Sequence, residues 1–123
     1  MALSVTTLVA AAHGASRAAG WWHDTKTGEL YELTPAIVAQ KLMLIVSEVS
    51  EAMEGHRKSL MDDKLPHRPM MEVELADAMI RIADLAGRLG FDLGGAVAEK
   101  MAFNAVRPDH KLEARQAAGG KAY

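Results

Sequence analysis

Two acidic pairs of matched spacing are the residues of this chain best suited to do chemistry: Glu48-Val49-Ser50-Glu51 and Glu74-Leu75-Ala76-Asp77. In an α-helix residues three apart lie about 60° from one another on the surface, so Glu48 points with Glu51 and Glu74 with Asp77. Two such helices packed side by side bring all four acids together. An all-oxygen cluster of high charge density is what the hard ions Mg²⁺ and Mn²⁺ require, and four converging carboxylates without a cation repel one another. Downstream, Lys100, Asn104 and Arg107 recur at i, i+4 and i+7 on the side that carries Leu93, Ala96 and Val97. Cationic and amide donors of this kind suit the oxygens of a phosphate chain.

Each feature also has a plainer reading. Asp77 with Arg81, and Asp84 with Arg88, are acid-to-base pairs at i, i+4, the spacing of a solvated helix face. Lys100 and Arg107 can run outward along the surface while their heads stay in water. Spacing by itself does not choose between these alternatives.

The elements that must position the acids are helices, and strand signals are almost absent. A first helix is expected from about Ser4 to Ala19, closed by Gly20. A second starts with Thr34 as N-cap and Pro35 at the first helical position and runs to about Leu60. Its apolar stripe is Val38, Leu42, Ile45, Val46, Val49 and Met53, with Glu48 at the flank beside Ile37 and Leu44. The segment 62–69, with two prolines, reads as a loop. A third helix follows from about Met70 to Leu89 before Gly90, apolar around most of its circumference except for Glu74, Asp77, Arg81, Asp84 and Arg88. A fourth, capped by Asp92, ends at Arg107 before Pro108. The expected organisation is therefore an all-α bundle of four to five helices over residues 1–108, followed by a loose polar tail over 109–123.

Bulk composition narrows the function classes. At 123 residues, 50% hydrophobic and 24% charged with a net charge of -2, the chain has the make-up of one ordinary globular domain. No Lys/Arg-rich block exists to hold a nucleic acid polymer. The absence of cysteine removes disulfides and thiolate metal sites and makes a reducing cytoplasm the expected compartment. The apolar stretch from Leu3 to Ala12 has no Lys or Arg before it and gives way to His13 and Arg17, so neither a secretory leader nor a membrane span is expected. A carboxylate-bridged di-iron bundle relies on E-x-x-H pairs, and none occurs.

With these residues in view, the chain resembles the MazG-like, all-α nucleoside triphosphate pyrophosphohydrolase superfamily, from Trp21-Trp22 to His110. The shared pattern is E-x-x-E at Glu48 and Glu51, E-x-x-D at Glu74 and Asp77, and K-x-x-x-N-x-x-R-P at Lys100, Asn104, Arg107 and Pro108. Many members carry a further Glu where Ser47 stands here, which leaves the number of metals open. The resemblance implies a homodimer or homotetramer that cleaves (deoxy)nucleoside triphosphates to monophosphate and pyrophosphate with Mg²⁺, or Mn²⁺ in its place. Glu48, Glu51, Glu74 and Asp77 would be the catalytic metal ligands, with Glu51, at the edge of the apolar arc, as candidate general base. Lys100, Asn104 and Arg107 would bind substrate, joined by His13 and Trp22 from the segment where such enzymes gather base-contacting side chains. The alternative is a non-catalytic helical oligomer, a regulatory protein whose acidic stripe only solubilises its surface.

Overall fold

The computed structural model describes residues 4–123; Leu3, the first residue of the apolar opening stretch, lies outside them. The described chain is all-helical and holds five α-helices: α1 (Val5–Ala18), α2 (Pro35–Lys58), α3 (Met70–Leu89), α4 (Leu93–Val106) and a short α5 (Leu112–Gln116). The only extended pairings among these residues are two isolated bridges, His23 with Leu30 and Met61 with Pro69, each of which closes a loop. None of the described helices is long and apolar enough to cross a membrane.

Helix ends follow local chemistry. Ser4 Oγ accepts from Thr7 N at 3.2 Å and Thr34 Oγ1 accepts from Ile37 N at 3.3 Å, each capping an N-terminus. Asp92 Oδ1 does the same for α4 through Gly95 N at 2.9 Å. Gly90, at φ +70°, ends α3 in the left-handed conformation that suits glycine. The end of α2 differs from expectation. Ser59, with no glycine nearby to serve, takes φ +52° itself and stops the helix at Lys58.

The chain divides into two compact units, Met1–Phe91 and Asp92–Tyr123, the second of which holds α4 and α5. In the first unit α1 and α2 both pack along α3, which is the central element. In the second, α4 is followed by a 3₁₀ turn at Pro108–His110 and then by α5. The segment expected to be a loose tail is thus partly helical. Asp109 ties it together, accepting from Arg107 Nε at 3.0 Å, Arg107 Nη2 at 2.7 Å and Lys121 Nζ at 2.8 Å.

Small residues set the packing of the first unit. Its buried apolar side chains are Ala12, Ala52, Ala78, Ala83 and Ala86 with Leu85 and Trp22. The face that α2 buries is Glu48, Ala52 and Gly55, whereas Leu42, Val46, Val49 and Met53 are half or more exposed. This corrects the expectation that Glu48 flanks a buried apolar stripe: close approach of two helices needs small residues at the contact, and these lie on the Glu48 side. On α3, likewise, Leu75, Met79 and Ile82 are exposed while Glu74 and Ala78 are buried.

Where α1 meets α3, a Cβ added at Gly87 would lie 2.5 Å from His13 Cβ, whereas one added at Gly14 of α1 meets nothing within 4 Å. Gly87→Ala should therefore destabilise the fold by about 1–3 kcal/mol through overpacking. Gly14→Ala should stabilise it by ~0.5–1 kcal/mol by restricting the unfolded chain. Chemical denaturation of both variants checks the opposite signs.

Candidate metal centre

Glu48 on α2 and Glu74 and Asp77 on α3 place one carboxylate oxygen each within 4.8 Å of one another, a spacing from which a single ion can be held. The first member of each predicted acidic pair is buried, Glu48 at 8% and Glu74 at 9% exposure, on the face that carries the small-residue seam. Glu51, one turn beyond Glu48, is exposed and stands outside this trio, but it is close enough to Glu74 for its charge and side chain to disturb it.

One cation meets the cluster. Arg81 Nε donates to Glu48 Oε1 at 2.5 Å across the seam, and the Arg81 side chain is 42% exposed. Glu74, a residue nine-tenths buried, receives no hydrogen bond from any described side chain or from backbone outside its helix. Burial raises its carboxyl pKa from the ordinary 4.5 to about 7, and the neighbouring Glu48 and Glu51 push it the same way. Asp77 is raised as well, first by burial and then by the charge of Glu48, against the lowering pull of Arg81.

The geometry decides a question that spacing left open. Neither Asp77 with Arg81 nor Asp84 with Arg88 forms an ion pair among the described residues. Of the polar stripe of α3 only Arg81 is exposed; Glu74 is buried, and Asp77, Asp84 and Arg88 are partly buried. Arg81 reaches across to Glu48, Arg88 Nη2 donates to Tyr31 O at 3.2 Å, and Asp84 Oδ1 holds both His13 Nδ1 and Trp22 Nε1 at 2.8 Å.

That Asp84 centre positions the wall of the site. Trp22 is fully buried between the His13 edge, the Tyr31 ring and the Lys41 ammonium, which lies 4.5 Å from the indole centroid. His13 and Trp22, the expected base contacts, are both committed to Asp84 and pin α1 and the following loop onto α3. Trp21 beside them is 71% exposed.

Between α1, α2 and α3 opens a cavity of about 950 Å³ whose lining includes Glu48 and Asp77 at the cluster, Arg81 and Lys41 as cations, and Gln40 and Trp21. Its volume falls in the range of small-molecule sites. Lys41 forms no ion pair among the described residues. Lys41 and Gln40 went unnoticed in the sequence, although Lys41 precedes Glu48 by two helical turns and so shares its face.

The remaining predicted residues, Lys100, Asn104 and Arg107, lie in the second unit. Within it Lys100 Nζ sits 4.8 Å from the Phe103 ring centroid, Arg107 is taken by Asp109, and Asn104 Oδ1 is buried without a partner. Comparison with known proteins finds no family model, no curated protein and no solved structure that matches the chain.

The raised Glu74 carboxyl fixes the sign of a pH effect. Between about 4.5 and about 7 the ion-free fold binds more protons than the unfolded chain, so stability falls as pH rises through that window. Glu74→Gln should flatten this slope. Urea unfolding of both proteins across pH 4.5 to 8 in a chelating buffer measures it.

Proposed function

We propose that the chain is a Mg²⁺-dependent (deoxy)nucleoside triphosphate pyrophosphohydrolase of the MazG-like kind, cleaving the α–β phosphoanhydride to monophosphate and pyrophosphate. The observation that carries this reading is Glu74: a buried carboxylate without a donor, grouped with Glu48 and Asp77 at one side of a cavity of nucleotide size. Three carboxylates are a hard, all-oxygen donor set, which fits Mg²⁺ or Mn²⁺ and does not fit a softer metal.

Glu48, Glu74 and Asp77 would hold the ion, with Glu51 close behind Glu74. When bound, the metal supplies Lewis-acid polarisation of phosphoryl oxygens and a water of lowered pKa. Glu51, exposed beside the cluster, is the carboxylate free to take the proton of the attacking water. Lys41 provides a second positive charge on the cavity wall for phosphate oxygens. Ala11 and Ala15 of α1 and Ala19 just after it leave room for a flat ring, and the exposed Trp21 offers a surface on which a base stacks. Lys100, Asn104 and Arg107 enter as substrate-binding residues through the family resemblance alone.

The same reading makes the protein a homodimer or homotetramer. Leu42, Val46, Val49 and Met53 at i, i+4, i+7 and i+11 on α2, with Leu75, Met79 and Ile82 on α3, form exposed apolar rows at helix-packing spacing. These rows also favour the second reading, a non-catalytic oligomeric protein, and metal binding separates the two. A cation that binds only the folded chain adds about 2.7 kcal/mol of stability at a hundred times its dissociation constant. Under the scaffold reading Mg²⁺ adds nothing.

Pyrophosphate release from a panel of canonical and deoxy triphosphates in Mg²⁺ is the direct test. Glu74→Gln and Asp77→Asn should each lower kcat/KM by more than the roughly 10–100-fold that loss of an outer-shell partner costs. Near-normal turnover in both would falsify the metal assignment. Val49→Lys, on the exposed row, should shift sedimentation towards the monomer while the melting of the isolated chain changes little.

A further inference from the structure

We infer that Arg81 is an internal stand-in for the divalent cation at Glu48 and, once displaced by that cation, the residue that takes the anionic end of the ligand. The inference rests on the metal-binding reading of Glu48, Glu74 and Asp77 and adds to it an exchange of partners.

Arg81 engages Glu48 through Nε alone; neither Nη1 nor Nη2 makes a hydrogen bond among the described residues. Its pairing is therefore end-on and single, not the two-pronged fork that makes Arg–carboxylate pairs strong. The chain shows the stronger arrangement elsewhere, where Arg107 grips Asp109 with two nitrogens. Arg81 also leaves Glu74 unserved, although Glu74 lies in the same cluster and is nine-tenths buried without a donor. One guanidinium thus balances one of three grouped carboxylates. A divalent ion ligated by the trio satisfies more of them, and it competes with the guanidinium for the Glu48 carboxylate. A divalent ion and the guanidinium, both at the Glu48 carboxylate, repel one another.

The displaced side chain has a place to go. Its outer part is exposed and lines the cavity that also carries the unpaired Lys41. Freed from Glu48, the guanidinium presents all five donors to that cavity, the geometry that binds phosphate oxygens. Loading is thereby ordered: the metal enters first, and the anion site is complete only after it.

Two titrations on the full-length protein test this with opposite expected signs. For Arg81→Gln, Mn²⁺ binding in the absence of any nucleotide should tighten by roughly three- to tenfold, because a competing cation is gone. Binding of manganese pyrophosphate to the Mn²⁺-saturated variant should weaken by about tenfold or more, because a charge-assisted donor is gone. Lys41→Gln, which removes the same charge without touching Glu48, should weaken pyrophosphate binding but tighten Mn²⁺ far less. An arginine that only props the fold lowers both affinities in Arg81→Gln, and one that only neutralises the cluster raises the first and leaves the second alone; either result overturns the exchange. In the unaltered protein the ¹⁵N resonance of Arg81 Nε should move as diamagnetic Mg²⁺ is added, and a stationary resonance at saturating Mg²⁺ also overturns it. If the wild type binds no Mn²⁺ at all, the metal reading itself fails, whereas Mn²⁺ binding with an unmoved Arg81 sinks the exchange alone.

Discussion

Burying Glu74 between Glu48 and Asp77, with a single arginine to balance them, is the constraint around which the first unit is arranged. A carboxylate removed from water costs free energy unless it is protonated, hydrogen-bonded or paired with a cation. The raised Glu74 carboxyl is the first of these responses, and the Arg81–Glu48 contact is the third. The seam that imposes the burial is made of Ala52, Gly55 and Ala78, which bring α2 close to α3 and leave the longer acidic side chains no room to turn away. Packing and electrostatics are thus one feature: the small residues that make the helix contact are what concentrates the charge.

A second carboxylate, Asp84, does the opposite kind of work about two turns beyond Asp77 along α3. Its Oδ1 accepts from both the His13 imidazole and the Trp22 indole. Through those two donors it fastens α1 and the α1–α2 loop to the same helix that carries the acidic trio. The cavity exists because of this attachment, since its walls are α1 on one side and α2 on the other, both held by α3. Asp84 is therefore structural in its contacts and functional in its consequence. The contrast with Glu74 is instructive: on one polar stripe, the acid with donors builds the wall and the acid without one belongs to the acidic cluster.

What was legible in the sequence divides along the same line between local and non-local physics. Helix starts at Ser4, Thr34 and Asp92 and the stop at Gly90 could be read directly, because capping depends on a residue and its next few neighbours. The placing of Glu74 with Asp77 on one face was equally readable from a 3.6-residue period, whereas Glu51, expected with Glu48, stands outside the trio. Which way the helix faces turn was not readable. On α2 the larger apolar side chains suggested that Leu42, Val46, Val49 and Met53 face the core, and tertiary packing chose the smaller set at Ala52 and Gly55 instead. The partly helical segment after Pro108 escaped for a similar reason, since no strong local signal marks it. Lys41 was missed because a single lysine two turns before an acid carries no pattern of its own.

The distribution of side chains over α2 and α3 bears on which of the two functional readings has the better physical account. A helical scaffold needs apolar rows for assembly, and this chain has them on its exterior. It has no need of acids at its internal seam. Replacing a buried charged group by an apolar one of similar size is often neutral or stabilising, so Glu48, Glu74 and Asp77 are a liability to a protein whose only task is to pack. A seam of leucine and alanine would serve assembly better and would not lose stability as its carboxyls ionise. The metal-binding reading turns that liability into the source of affinity: the repulsion that destabilises the ion-free fold is the free energy a divalent cation recovers when it binds. Only the exterior rows are common to both readings, and the interior acids are accounted for by one.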